Sequence, residues 1–416
     1  MESDVSTELE PSSSTAAISK EHRRSTAATT TPRIAVTPEG ARDLMQLWEQ
    51  SEDRRTHAPR PANASHDFFL PYIAANDCYL SPHVALWESA GEPTGILIAR
   101  MAIARPKRTI GPLSVPMPQL KTLEVIHGGL EANDEMTALL QLDYIRDFLA
   151  SGDVDAVSIH HLPCESETGK LISATFSGPG GCTPVITDHW FTELTDASGK
   201  PVVTNTAKNL RNFRRQDRKF EAVFEGKLQI REMNTEKDVI PFIVAATAIS
   251  QHTYQGSLGI GVRNDKRWHT NLNILAANGQ LRGYLLQADD VIVAYAVGGT
   301  CRNTFNYLAT SFLPEYRELA PGAYLMRRIM ERMPDEGVCW FDFGFGNATY
   351  KERTGSLCRK EATYYLYGKS RAAWIARRLD GVVQGANRGL RKILTSTNML
   401  DRARRLWRRA LERVKQ

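Results

Sequence analysis

Apolar positions along this chain fall into two rhythms that alternate. Runs rich in β-branched and aromatic residues at Val84–Glu88, Gly95–Ala104, Leu120–Ile126 and Asp155–His160 read as strands. Between the last two, Met136, Leu139, Leu140, Leu142, Tyr144, Ile145 and Leu149 recur at helical spacing over Glu135–Ala150. Upstream, Arg33–Val36 is strand-like, and Thr37 is a natural N-cap for a helix that opens on Pro38 and runs to about Gln50. The Arg/His/Pro-rich Arg54–Pro61 follows as a loop. The second half is more legible. Lys227–Met233 is a strand, Thr235–Gln251 and Asn264–Ala277 are helices, and Gln280–Gln287 and Val291–Gly299 form a hairpin across Asp289-Asp290. Asn303–Ser311 is a strand, Gly322–Met333 a helix, Val338–Phe343 a strand, Ala348–Thr354 a short helix and Lys360–Tyr367 a strand. The order is β-α-α-β-β-β-α-β-α-β.

Composition narrows the class. At 416 residues, 42% of them hydrophobic, the chain has room for two folded domains and tails. Its longest clean apolar run, Val291–Val297, falls far short of the ~20 residues a membrane helix needs, and no secretory signal opens the sequence. The six cysteines are widely spaced, without CxxC or a Cys/His ligand cluster. They read as reduced thiols of a cytoplasmic protein with neither a disulfide framework nor a metal site. The net charge of +5 is unevenly spread: residues 369–416 hold 14 Lys/Arg against three acids, +11, leaving −6 for the rest. Residues 1–33 contain 13 Ser/Thr and few large apolar groups, so disorder is expected there. The turn-rich Ser177–Pro184 reads as a linker. Within the tail, Arg402–Lys415 interleaves Leu406, Trp407, Leu411 and Val414 with arginines, a pattern suited to a helix lying on an anionic membrane surface near the inner membrane.

Candidate chemistry concentrates late in the chain. Pro321, Gly322, Ala323 and Tyr324 open a helix whose first N–H groups lack intrahelical partners and sit at the positive end of its dipole, a setting for pyrophosphate. Asp342 ends an aromatic strand, where it serves either as a base with a raised pKa or as an acceptor for the following glycine turn. Tyr350 and Lys351 follow two glycines. The run Lys208–Lys219 carries six basic residues against Asp217, and Arg214 and Arg215 are its candidates for holding an anionic acceptor. His252 and Tyr254 close a long helix; His252 is a second candidate base or else a helix cap. The Gly256–Gly261 run GSLGIG lies between helices with no strand before it, which excludes a dinucleotide loop.

Taken together, LAPGAYLM (319–326), FDFGFGNATYK (341–351) and the basic helix KNLRNFRRQDRKF (208–220), in this element order, resemble the GNAT acyltransferases, specifically the BioF-like/CelD branch related to the Fem aminoacyl transferases. The resemblance implies an α/β (α+β) fold of two tandem GNAT-like domains, with mixed central sheets flanked by helices. Residues 34–176 would be a degenerate first half, 185–368 the catalytic half, 1–33 a tail and 369–416 a basic helical tail. It implies an N- or O-acyltransferase using acetyl-CoA or another acyl-CoA, without a metal, on a small-molecule, sugar- or lipid-linked acceptor in exopolysaccharide or envelope synthesis. Asp342 or His252 would deprotonate the acceptor, Tyr350 would protonate the leaving thiolate, and Lys351 would hold a phosphate or an acidic acceptor. The turn Arg317–Ala323 matches the usual GNAT donor signature only partly. The alternatives are a Fem-like transferase drawing on aminoacyl-tRNA, and a non-catalytic binding module on the same fold; nucleic acid is not the expected partner.

Overall fold

The computed structural model describes residues 31–53, 57–111, 113–176, 182, 184–253 and 261–396. The N-terminal tail up to residue 30, most of the 177–184 linker, Tyr254 with most of the glycine loop, and the basic run Arg402–Lys415 lie outside the described residues.

The strands are β1 (Arg33–Ala35), β2 (Tyr79–Ser89), β3 (Glu92–Ala104), β4 (Arg108–Ile110), β5 (Leu113–Val115), β6 (Leu120–Ala132) and β7 (Ala156–Pro163). They continue with β8 (Val185–Glu193), β9 (Leu228–Met233), β10 (Leu281–Ala288), β11 (Val291–Cys301), β12 (Thr304–Phe312), β13 (Trp340–Phe345) and β14 (Leu357–Tyr367). Twelve of them form one sheet in the order β1-β2-β3-β6-β7-β14-β8-β13-β12-β11-β10-β9, and β4-β5 is a separate ribbon. The helices are α1 (Pro38–Asp53), α2 (His66–Ala74), α3 (Glu135–Ser151), α4 (Glu167–Phe176), α5 (Ala207–Val223), α6 (Glu236–Gln251), α7 (Lys266–Ala277), α8 (Pro321–Arg332), α9 (Thr349–Thr354) and α10 (Arg371–Ser396).

Local chemistry explains many boundaries. Asp134 caps α3 by accepting from the Thr137 N–H at 2.7 Å, and Gly152 in the left-handed region ends it. Thr235 and Asp238 form a reciprocal capping box at the start of α6. The sheet is covered on both faces, as its strands show. On β2, Val84 and Leu86 join the core beneath α1 and α2, while Ala85 and Trp87 join the core beneath α3.

Two halves of like topology meet in this sheet. In each, antiparallel strands lead to one that passes through a helix to a parallel neighbour: β6 through α3 to β7, and β12 through α8 to β13. All the other strand pairs are antiparallel. The last strand among the described residues crosses back: β14 inserts between β7 and β8, and β8 lies against β13. Both parallel pairs stop short. β6 and β7 part after Val125↔Ile159, and β12 and β13 part after Asn306↔Asp342. Because the two pairs run in opposite directions, their open ends face one another across β14 and β8.

The α5 helix packs Asp217 inward. Asp217 accepts from Arg327 Nε of α8 at 3.1 and 3.2 Å, while Arg211, Arg214, Arg215, Arg218 and Lys219 are exposed. This splits the basic run into a structural face and a solvated one.

Candidate active site

At the centre of the sheet, four strands each bring one polar side chain into an apolar setting. His189 of β8 is 1% exposed, and its Nε2 lies 2.7 Å from Asp342 Oδ1 of β13 while its Nδ1 lies 3.0 Å from Glu361 Oε1 of β14. His127 of β6 completes the chain, its Nε2 3.4 Å from Glu361 Oε2, which is long for a hydrogen bond. The order is Asp342–His189–Glu361–His127.

The electrostatics follow from this order. Burial alone would lower the His189 pKa, but hydrogen bonds to Asp342 and Glu361 outweigh it and raise it to about 9. Burial would raise the Glu361 pKa, yet the nearby His127 and the hydrogen bond with His189 hold it down at about 2. At neutral pH the core of the array is therefore an imidazolium donating to two carboxylates. One ligand atom each from His127, His189 and Glu361 lies within 4.8 Å of the others, a donor set that fits a metal in composition. His189, however, commits both ring nitrogens to carboxylates and has no lone pair left to ligate.

Three cavities converge here. One of about 840 Å³ runs past His127, His161, His189, Arg359 and Glu361. A second of about 510 Å³ fills the gap between the parted β12 and β13, lined by Asn306–Thr310, Asp342–Ala348, Tyr350 and Lys351. A third of about 350 Å³ is bounded by Arg100, His160, His161, Leu308 and Phe345. His127 lines all three.

The local backbone is shaped to permit this. The β6 strand bulges between Val125 and Leu130, both of which stay paired to β3, so His127 leaves the ladder. Gly128 has φ +74°, and a Cβ there would run into the Pro61 ring, so glycine lets the 57–64 loop close over the site. That loop is fastened by Arg60 N–H donating to Thr304 Oγ1 at 2.8 Å and Ala62 N–H donating to Asn306 Oδ1 at 3.3 Å. On β7 a second bulge opposite β14 puts His161 at φ +51°, its ring stacked on Phe345 at 3.6 Å. Burial and the neighbouring His127 lower its pKa to about 4, so it is neutral, and its buried Nδ1 has no hydrogen-bond partner. A third bulge, at Leu308 of β12, leaves an unpaired backbone position facing the second cavity.

The residues marked out by the sequence divide into three groups. Asp342, Tyr350 and Lys351 line the second cavity together. Asp342 accepts from His189 and, at 2.6 Å, from the Gly344 N–H, so it orients rather than stands free. Burial pushes the Tyr350 hydroxyl up to about 12, which keeps its proton in place at neutral pH. Lys351 is 8% exposed and donates to the Gly344 and Phe345 carbonyls at 3.1 and 2.7 Å, pinning the turn between β13 and α9. Replacing Lys351 with methionine is expected to lower stability by about 1.5–3 kcal/mol, read as a reduced urea midpoint.

Pro321, Gly322, Ala323 and Tyr324 form the first turn of α8, which packs against the far end of β12: a Cβ on Gly322 would lie 3.2 Å from the Phe312 ring. The Tyr324 hydroxyl donates to Glu221 at 3.0 Å. His252 caps the end of α6 through its N–H to the Ile249 carbonyl at 3.1 Å and lines none of the three cavities. Arg214 and Arg215 are likewise away from them, on the exposed side of α5. His127, His160, His161, His189 and Glu361 are not among the site residues that the sequence marks out. The available signal was polar residues in the middle of apolar strands, as in VSIHHLP (157–163) and VITDHWF (185–191).

Residues 207–352 match the family model for the acetyltransferase (GNAT) domain. No curated protein matches the chain by sequence. Among solved structures, FemX superposes with a TM-score of 0.55 at 10% identity, covering 80% of this chain and 97% of its own. A tandem GNAT protein from the clavulanic acid biosynthesis pathway superposes with a TM-score of 0.42 at 12% identity, over 82% and 99% of the two chains. Among the described residues no helix is long and apolar enough to cross a membrane.

Proposed function

From the match of residues 207–352 to the acetyltransferase (GNAT) domain and the fold likeness to FemX, we propose that the chain transfers an acyl group from acyl-CoA to an amine or hydroxyl at the point where its three cavities meet. The observation that carries the proposal is His127, which borders all three cavities with a buried, ionised Glu361 behind it. A base backed by a carboxylate is the arrangement that activates a nucleophile for acyl transfer.

Each remaining group takes a part. Glu361 orients His127 and stabilises the positive charge that forms there, while His189 and Asp342 hold Glu361 in place and ionised. The donor lies in the gap between β12 and β13. Its pyrophosphate rests at the α8 first turn on Gly322, beside Phe312, since Pro321 has no N–H and the Ala323 N–H already donates to the Ala320 carbonyl at 3.0 Å. From Phe312 to Asn306 the strand spans about 20 Å at ~3.3 Å per residue, a path suited to a long thin arm that delivers its thioester near the Leu308 bulge. Tyr350, protonated and lining the same cavity, protonates the leaving thiolate. A transfer then proceeds by attack of the acceptor on the thioester carbon, with its proton passing to His127 and CoA leaving as the thiol. Acetyl is the first acyl group to test, and a sugar- or lipid-linked acceptor of envelope synthesis is one class to test with it.

The fold likeness to FemX and the exposed basic face of α5 favour a second reading, transfer from aminoacyl-tRNA. One experiment separates the two. Acetyl-CoA is expected to raise the melting temperature, and thiol release in the presence of amines is expected to be indifferent to ribonuclease. Absence of any stabilisation by acetyl-CoA and longer acyl-CoAs overturns the donor assignment, and ribonuclease-sensitive activity replaces it with the second reading.

A further inference from the structure

Arg359 sits on β14 directly opposite His189 in the pairing register, and on the same face of that strand as Glu361. Its side chain lines the 840 Å³ cavity, with the guanidinium 5.0 Å from the centroid of the Phe191 ring. The carboxylates that act on it from a distance are Glu361, Asp342 and Glu131, and each is already engaged. Asp342 and Glu361 accept from His189, and Glu131 accepts from Arg60 at 3.2 Å. Among the described residues no hydrogen bond or ion pair holds the Arg359 guanidinium. A partly desolvated guanidinium without a direct partner is unfavourable for the fold by itself. It presents a planar donor fork matched to a carboxylate or a phosphate.

We infer that Arg359 anchors the acceptor, and that the acceptor carries an anionic group, a carboxylate or a phosphate, close to its reacting amine or hydroxyl. The spacing sets how close. Positions two apart on a strand are separated by about 7 Å, and Glu361, two residues on, backs the base His127. An anion on Arg359 and a nucleophile at His127 therefore fit within one small molecule or one head group. The inference rests on the reading of His127 as the base, and it adds the class of acceptor that the base serves.

Matched probe pairs test it: glycine against glycinamide, and O-phosphoethanolamine against ethanolamine. Each is assayed both for its effect on melting temperature and for thiol release from acetyl-CoA. An anionic member is expected to be preferred over its neutral partner by at least about 10-fold in kcat/KM. Arg359→Gln is expected to remove that preference mainly through KM while acetyl-CoA still raises the melting temperature, and Arg359→Lys to restore part of it. Preference within the glycine pair alone identifies a carboxylate, and within the phosphoethanolamine pair alone a phosphate. Equal response to charged and neutral partners, no response to either anion, or a preference that survives Arg359→Gln overturns the inference even where acetyl-CoA binds. Failure of acetyl-CoA to bind, with the anionic probes still stabilising the protein through Arg359, instead removes the donor assignment and leaves the anion site standing.

Discussion

Replacing His127 with alanine is expected to slow thiol release from acyl-CoA by about 10²- to 10⁴-fold, the usual contribution of a positioned general base. The ring packs against His161, His189 and Phe345 and faces the buried Glu361 carboxylate, so the urea midpoint is expected to fall as well. Acetyl-CoA is expected to bind as before, and rates are compared at a urea-free condition where both proteins are folded. His127→Gln serves as a companion variant, because it keeps a polar side chain of similar reach without a titrating ring. Activity within threefold of the parent in both variants removes His127 from the chemistry. His161, neutral and with an unpartnered nitrogen, would then be the next base to test.

Glu361→Gln probes the opposite property, with its main effect on stability. The substitution keeps the shape of the side chain but leaves the His189 imidazolium with Asp342 alone. Breaking a buried charge pair in this way costs about 3–5 kcal/mol. The pH dependence carries the finer signature. The lowered Glu361 pKa contributes stability that is present above the ordinary carboxylate range and is lost as pH falls through about 2. The raised His189 pKa contributes stability that is complete below about 6.5 and is lost as pH rises through about 9. Removing the Glu361 charge is expected to move the alkaline loss to lower pH. Urea midpoints measured from neutral pH to pH 10 check this: parallel profiles for the parent and Glu361→Gln would show that the two groups are not coupled.

How far the sequence disclosed this site depends on how far apart its residues lie in the chain. The fold was legible where periodicity and turn chemistry are local. The β10–β11 hairpin crosses at Asp289-Asp290 as its pattern implies, and α8, β13, α9 and β14 follow in the expected order. Asp342, Tyr350 and Lys351 come together because they are close in sequence, and a glycine turn folds them onto one cavity. The array itself draws on residues 127, 189, 342 and 361, which no spacing rule connects. It exists because β14 inserts between β7 and β8, a long-range pairing that leaves no mark in local composition. The β8 strand was not recognised as a strand at all. Its exposed start, with Val185 and Ile186 over half exposed, blurs the alternation that would have marked His189 as inward-facing. The helices α2 and α4 were missed for a related reason: each is short, and α2 has Pro71 inside it.

The late insertion of β14 also sets a timetable for the nascent chain. Ribosomes deliver about 5–20 residues per second, so β7 and β8 leave the tunnel many seconds before the strand that must lie between them. During that interval each presents an open edge, and β8 exposes Val185 and Ile186 beside its edge. An incomplete chain that stops short of residue 357 would hold the gap between β12 and β13 but lack Glu361, and would leave the facing edges of β7 and β8 unpaired. Until β14 is added, the facing edges of β7 and β8 are where the growing chain is open to mispairing.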